Sequence, residues 1–225
     1  MMMKNKSVIL LSGGLDSLVC MGVAKENYNI SLALTFDYGQ KSAKQEIEAS
    51  KKICDYYEVE HRVIKLDWLK DICNNALTSS DKDLPEGIDN PVESAKAVWV
   101  PNRNGLFLNI AAAYCEAENF THVIIGANSE EAKTFPDNSL DFISSVNEMF
   151  KHSTMTHPVV AVPLINLDKN AIVKLALERS VPLDLVYSCY NGSGKHCGKC
   201  ESCTRLKNAL INNGDTKYME ILFKE

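Results

Sequence analysis

The stretch Ser12-Gly13-Gly14-Leu15-Asp16-Ser17 constrains this chain more than any other. It lies between an apolar run, Ser7 to Leu11, and a segment with helical spacing from Asp16 through Leu18, Val19, Met21, Val23 and Ala24. A buried strand that turns on two glycines into a helix points backbone N–H groups at one spot, and the helix start adds partial positive charge. Such a turn is an anion cradle. Ser12 and Ser17 can each donate a hydroxyl hydrogen bond to a phosphate oxygen. Asp16 would repel a bare phosphate, so the loop implies a divalent cation, most simply Mg²⁺. The plain alternative is a tight strand-to-helix turn with Asp16 as a helix cap. The spacing matches neither G-x-x-x-x-G-K-S/T nor G-x-G-x-x-G.

The rest of the chain repeats the alternation. Ile30 to Phe36 and Val59 to Leu66 read as strands, with a surface helix from Ser42 to Tyr57 between them that carries Ile47, Cys54 and Tyr57 on one face. Strand–helix alternation predicts a parallel sheet covered by helices. From Asp67 to Val100 the pattern breaks. Pro85, Gly87 and Pro91 punctuate a polar stretch that reads as a long loop, of the kind used for lids and binding loops. Asn102 to Glu118 reads as a buried helix, Val123 to Gly126 as a fourth strand, Phe142 to Phe150 as a helix and Val159 to Leu164 as a fifth strand. Asp168 can cap a helix running through Arg179, and Glu201 to Asn212 reads as the last helix.

At 225 residues the chain is expected to form one domain, residues 1–183, with an appendage, 184–225. Lys+Arg 24 against Asp+Glu 29 gives a formal charge of −5. A protein that grips nucleic acid by its phosphates is normally basic, so no nucleic-acid partner is expected. No run reaches the roughly 18 apolar residues of a membrane span. Met1 to Ser7 is polar with two lysines, and Val8 to Leu11 is too short for a secretory signal, so a cytoplasmic location is expected.

In that reducing setting the eight cysteines are not expected to pair. Cys20, Cys54, Cys73 and Cys115 are scattered, whereas Cys189, Cys197, Cys200 and Cys203 follow the spacing C-x₇-C-x₂-C-x₂-C. Four soft thiolates on one irregular loop suit a closed tetrahedral zinc site that folds the tail rather than catalyses. His196 adjoins Cys197 and competes for a ligand position, and an iron–sulfur cluster would also use four cysteines.

Two resemblances sharpen these readings. S-G-G-x-D-S after the first strand resembles the pyrophosphate loop of the ATP pyrophosphatase (PP-loop) group. Ser188-Cys189-Tyr190 followed by Cys197-Gly198-Lys199-Cys200-Glu201-Ser202-Cys203 and Arg205 resembles the C-terminal zinc motif of the 7-cyano-7-deazaguanine synthase family. The Cys203-to-Arg205 spacing is one residue shorter than is usual there. Leu34 to Gln40, Val100-Pro101-Asn102-Arg103-Asn104, and Pro163-Leu164 with Asp168-Lys169 resemble further segments of that family, so the likeness spans about residues 7 to 207. One segment departs. Where the family carries G-Y-P-D-C-R near its deazapurine, this chain reads Thr134-Phe135-Pro136-Asp137-Asn138-Ser139.

The resemblance implies an α/β, Rossmann-like (adenine nucleotide alpha hydrolase-like) fold with a parallel five-stranded sheet, helices on both faces and a small zinc-binding C-terminal appendage. It implies an ATP-dependent carbon–nitrogen ligase of queuosine biosynthesis. Such an enzyme converts 7-carboxy-7-deazaguanine and ammonia to 7-cyano-7-deazaguanine through an adenylated acid and an amide, as a homodimer. The implied ATP-binding residues are Leu10, Leu11, Ser12, Gly13, Gly14, Leu15, Asp16, Ser17, Leu18, Val19 and Cys20, with Thr35, Asp37 and Tyr38 at the second strand. Asp16, Ser17, Arg103 and Lys169 are the candidate catalytic residues, and Arg103, Asn104, Phe135, Pro136 and Asp137 the candidate substrate residues. A guanidinium at Arg103 could clamp phosphate or a carboxylate, or serve only in a structural ion pair. Lys169 could stabilise the pentavalent phosphate, or be an ordinary helix-start lysine. Phe135 could stack on a heterocycle or belong to the core. The altered segment keeps a second reading open, an enzyme that stops at the amide or passes the activated base to another acceptor. A tRNA-thiolating enzyme and a non-enzymatic zinc-ribbon nucleic-acid-binding module are the rivals of other classes, and both would usually be basic.

Overall fold

The computed structural model describes residues 6–223; residues 1–5 and 224–225, at the outer ends of the two expected segments, lie outside the described residues. Among the described residues five strands form one sheet: β1 (Lys6–Leu10), β2 (Asn29–Asp37), β3 (Glu60–Lys65), β4 (His122–Ile124) and β5 (Val159–Ala161). All pair in parallel, in the order β3-β2-β1-β4-β5. The sheet is covered on both sides, as an all-parallel sheet must be. Alternation along each strand divides the core. Ile9, Leu11, Ile30, Ala33 and Ile124 face one side, where α1 (Leu15–Ala24), α2 (Ala43–Tyr57), α7 (Lys169–Glu178), α8 (Glu201–Asn212) and α9 (Lys217–Phe223) pack. Val8, Leu10, Leu32, Leu34, Phe36, Val123 and Ile125 face the other, under α3 (Asp67–Ile72), α4 (Pro91–Val98), α5 (Arg103–Glu118) and α6 (Leu140–Ser153). The period-2 alternation of strands thus meets helical stripes such as Ile143, Val146 and Phe150 of α6.

Two expected boundaries need correction. The stretch from Asp67 to Val100 is not one loop. Leu69, 1% exposed, anchors α3. Pro91, read as punctuation, is the first residue of α4, where its missing N–H costs nothing, and Asn90 caps Glu93 N at 3.4 Å. The chain also continues past α8 into α9, started by Asp215, whose carboxylate accepts from Tyr218 N at 2.7 Å. The appendage shares the main core: Leu206, Ala209, Leu210 and Leu222 are buried with α1 and α7. No helix among the described residues is long and apolar enough to cross a membrane.

Candidate active site and metal centre

The order of the strands reverses between β1 and β4, and a crevice opens beyond their carboxyl ends, where ligands bind in sheets of this kind. The Ser12–Ser17 loop fills its floor. Gly13 has φ +76°, and a Cβ there would meet Ala49 Cβ at 2.8 Å and the Glu46 carbonyl at 2.9 Å, so only glycine lets the loop lie against α2. A Cβ on Gly126, just after β4, would meet the Asp16 carbonyl at 2.9 Å. Ser17 Oγ donates to the Gly14 carbonyl (3.0 Å) and accepts from Ser12 N (3.2 Å). The appendage lies on the same loop: Tyr187 N donates to the Gly13 carbonyl at 2.8 Å, and Leu15 N to Ser188 Oγ at 3.3 Å.

The cleft encloses about 250 Å³ and carries an unusual density of buried charge. Lys169, 9% exposed at the start of α7, reaches Asp16 Oδ2 at 2.5 Å and Glu131 Oε1 at 2.6 Å. Burial opposes its charge, but the two carboxylates outweigh it and hold the amine above the usual lysine range. Burial pushes the Asp16 carboxyl up to about 6, against the pull of Lys169 and with the help of Glu131. Asp16 Oδ1 is buried with no hydrogen-bond partner. An orphaned carboxylate oxygen at an anion cradle is the donor a hard cation would take. Asp16 is therefore not a helix cap; Gly14 holds that position.

The opposite wall is built from α5 and the segment after β4. Arg103 Nη1 donates to Tyr38 Oη at 3.2 Å. Burial works against the guanidinium, but Tyr38 and Asp137 hold it protonated. Asn104 N donates to Asp137 Oδ2 (3.2 Å) and Asn104 Nδ2 to the Asp137 carbonyl (3.1 Å). Asn138 donates to Asp137 Oδ1 at 3.2 Å, and Ser139 caps α6 through Phe142 N. Phe135 lies parallel to Trp99, ring centroids 6.0 Å apart, and both rings line the cleft.

Leu10, Leu11, Ser12, Gly14, Leu15, Asp16, Ser17, Tyr38, Arg103, Asn104, Phe135, Asp137 and Lys169 all line this one cleft. The other expected contacts do not. Leu18, Val19 and Cys20 point into the core on the far side of α1, each 0% exposed, because only the first turn of a helix can face the ligand at its start. Thr35 Oγ1 donates to the Leu11 carbonyl from below the loop. Asp37 closes the turn at Gly39 N (3.2 Å), and Pro136 heads a short 3-10 turn behind Asp137. Gly13 is turned toward α2. Glu46, Trp99, Glu131, Ser188, Tyr190 and Glu201, none of them expected from the sequence to face a ligand, also line the cleft. The available signal is that Ser188, Tyr190 and Glu201 stand next to metal-spaced cysteines.

The sulfurs of Cys189, Cys197, Cys200 and Cys203 all lie within 4.8 Å of one another, with Cys197 and Cys203 at 3.9 Å. Sulfurs about 2.3 Å from one tetrahedral ion stand about 3.8 Å apart, so the group has the size for a single metal ion. Backbone N–H groups of Cys200 (3.3 Å) and Lys199 (3.5 Å) point at Cys197 Sγ, and Cys197 N at Cys189 Sγ (3.5 Å). The thiols of Cys200 and Cys203 hold the Cys189 sulfur far below the usual thiol range, and Cys200 is pushed up to about 12 by the same contact. His196 is not in the group: its Nε2 accepts from Ser188 N at 3.0 Å. The other four cysteines are buried and unpaired.

A glycine turn that forms an anion cradle at the switch point of a parallel sheet covered on both faces defines a doubly wound α/β protein. Solved structures agree on the fold. The U34-tRNA thiolase NcsA of Methanococcus maripaludis superposes with TM-score 0.52 at 18% identity, over 97% of this chain and 70% of its own. A 4-thiouridine synthetase, solved with RNA and bound ATP, superposes with TM-score 0.52 at 20% identity, over 97% of this chain and 53% of its own. Sequence decides within that class. Residues 6–214 match the family described as queuosine biosynthesis protein QueC, and the chain belongs to that family. It is 50% identical to the 7-cyano-7-deazaguanine synthase of Carboxydothermus hydrogenoformans, covering 92% of this chain and 99% of the relative. It is 46% identical to that of Methanosarcina barkeri (93% and 95% covered) and 47% identical to that of Bdellovibrio bacteriovorus (100% of each).

Proposed function

We propose that the protein is an ATP-dependent ligase that makes 7-cyano-7-deazaguanine from 7-carboxy-7-deazaguanine and ammonia. The observation that carries this is the 50% identity, over 99% of its length, to a relative of that name. The chemistry is two rounds of oxygen activation. The carboxylate oxygen attacks the α-phosphorus of ATP and expels pyrophosphate; ammonia adds to the acyl carbon and expels AMP, leaving the amide. The amide oxygen then attacks the α-phosphorus of a second ATP and expels pyrophosphate, and breaking of the C–O bond with loss of AMP and the remaining N–H protons leaves the nitrile. Hydroxide and oxide are poor leaving groups, and AMP replaces both.

In this reading the loop holds the β and γ phosphates, with the Ser12 and Ser17 hydroxyls turning to them from the contacts they make with each other and with the Gly14 carbonyl. Asp16, through its unpartnered oxygen, holds Mg²⁺, which supplies charge neutralisation along the phosphates. Lys169 faces the charge that grows at the attacked phosphorus, and Arg103 orients the carboxylate. Asn104 and Asp137 present donors and acceptors at the far wall, beside the Phe135 and Trp99 rings. The four-cysteine group holds a structural Zn²⁺, and the reading places the protein in the cytoplasm. The partners are small molecules and, from the family resemblance, a second copy of the chain; light scattering at the monomer mass across micromolar concentrations would refute the dimer. Product mass spectrometry after incubation with 7-carboxy-7-deazaguanine, ATP, Mg²⁺ and ammonium tests the function. Nitrile as the main product is expected; amide alone would give the Asn138-Ser139 segment its alternative meaning, and an unchanged acid would overturn the reading.

Asp16 must be ionised to hold a cation. Its carboxyl is held at about 6, so the ionised fraction grows as pH rises through that value. The expected kcat/KM for pyrophosphate release therefore climbs with pH up to about 6 and flattens above it, because kcat/KM reports groups of the free enzyme. The acidic limb should vanish in Asp16→Asn.

A further inference from the structure

Arg205 closes the metal motif in the sequence and borders the cleft, yet it is not among the four clustered ligands and the chemistry above gives it no role. Its surroundings give it a different task. α8 starts at Glu201, between the metal ligands Cys200 and Cys203, and the Glu201 side chain is buried. One Glu201 oxygen accepts from Ser94 of α4; the other accepts from Arg205 Nη2 at 2.6 Å and Nε at 3.0 Å. Arg205 Nη1 continues to Glu130 Oε1. The second oxygen of Glu130 accepts from Lys169 N, the first N–H of α7, at 3.1 Å. Lys169 Nζ then meets Asp16 and Glu131. The segment carrying Glu130 is itself fixed, since Asn128 Oδ1 accepts from both Glu130 N (3.1 Å) and Glu131 N (3.0 Å).

We propose that Arg205 and Glu130 are positioning residues for Lys169, forming a strut of alternating charge that runs from the metal-bearing helix to the phosphate loop. The proposal rests on the ATP-dependent reading of the cleft. Two physical points carry it. Side-chain exposures of 19% for Arg205 and 25% for Glu130 leave the pair poorly screened, unlike a surface ion pair. Glu130 also accepts at both ends at once, which only a carboxylate can do. A glutamine has one acceptor oxygen and can serve Arg205 or Lys169 N, not both. Lys169 must meet a developing charge, where a shift of about 1 Å can cost up to about 10²-fold. The metal centre would thus act on the reaction by setting a lysine, without touching substrate.

The test uses the full chain with metal bound. Glu130→Gln, Arg205→Lys and the double variant are compared with Arg179→Gln, which breaks an exposed pair with Glu26 at the opposite end of α7 from Lys169. Pyrophosphate release, metal content, melting temperature and hydrogen exchange of the peptide spanning 165–173 are measured. The expected result is a kcat about 10-fold lower for each single variant, with KM for ATP within about twofold. The double variant should be no worse than the poorer single, since the residues act in one chain of contacts. Exchange at Lys169 N should accelerate and the melting temperature should fall by only a few degrees, while metal content and the control stay at wild-type values. Wild-type kcat in Glu130→Gln, unchanged exchange, or activity lost only in step with metal would overturn the proposal. If the wild-type chain releases no pyrophosphate, the functional reading fails on its own, and the exchange measurement still decides whether the strut holds Lys169.

Discussion

Asp16→Asn is expected to lower pyrophosphate release about 10²-fold or more, the usual scale for losing a group that stabilises transition-state charge. The substitution keeps shape but removes the ionised oxygen that is buried and unpartnered beside the anion cradle. The structure also fixes what happens to the neighbours. Lys169 retains Glu131 at 2.6 Å, so its charge stays paired, and Gly14 rather than Asp16 occupies the cap of α1. The fold should therefore survive, and the melting temperature should move little, since Asp16 is ionised only against the cost of its burial. Ser17→Ala should slow turnover less. It removes neutral hydrogen bonds to the Gly14 carbonyl and Ser12 N, each worth about 1 kcal/mol. If Asp16→Asn keeps more than about half the wild-type rate at unchanged melting temperature, the loop is not the phosphate site.

The loop was legible in the sequence because its demands are local: two glycines, two hydroxyls and an acid between a buried strand and a helix. The four cysteines were legible for the same reason, since a tetrahedral ion needs close ligands and close spacing supplies them. The parallel sheet followed from alternating periodicities, and its boundaries shifted by only a few residues. What stayed hidden depends on contacts between distant segments. Glu131 and Lys169 are 38 positions apart, and Ser94 and Glu201 are 107 apart. No pattern within either segment indicates the partner. Pro91 misled in the other direction, because a proline that opens a helix and one that interrupts a loop look alike without the cap at Asn90. Leu18, Val19 and Cys20 were drawn into the expected site by adjacency to the loop, but a helix turns them away within one turn.

Cys200→Ser is expected to cost more stability than any single change in the scattered cysteines, and to strip the metal. Cys200 is 3% exposed, caps the start of α8, and bridges antiparallel to Glu86, with Gly87 N donating to the Lys199 carbonyl (3.0 Å) and Glu201 N to the Pro85 carbonyl (3.2 Å). Losing one of four thiolates weakens a site whose binding energy is also folding energy, since the ligands converge only in the folded tail. The tail in turn holds the phosphate loop through Tyr187 N and Ser188, so activity should fall together with metal content. The proper control is Cys54→Ala rather than Cys54→Ser. Cys54 is 1% exposed in the apolar core, where a serine hydroxyl would be stranded and costly in its own right. Metal analysis should give about one zinc per wild-type chain and a clear loss in Cys200→Ser, with Cys54→Ala at the wild-type level. Chelation of the wild-type protein should reproduce the Cys200→Ser melting curve. Equal melting temperatures and equal metal in the two variants, or iron in place of zinc, would show that the four sulfurs are not a structural zinc site.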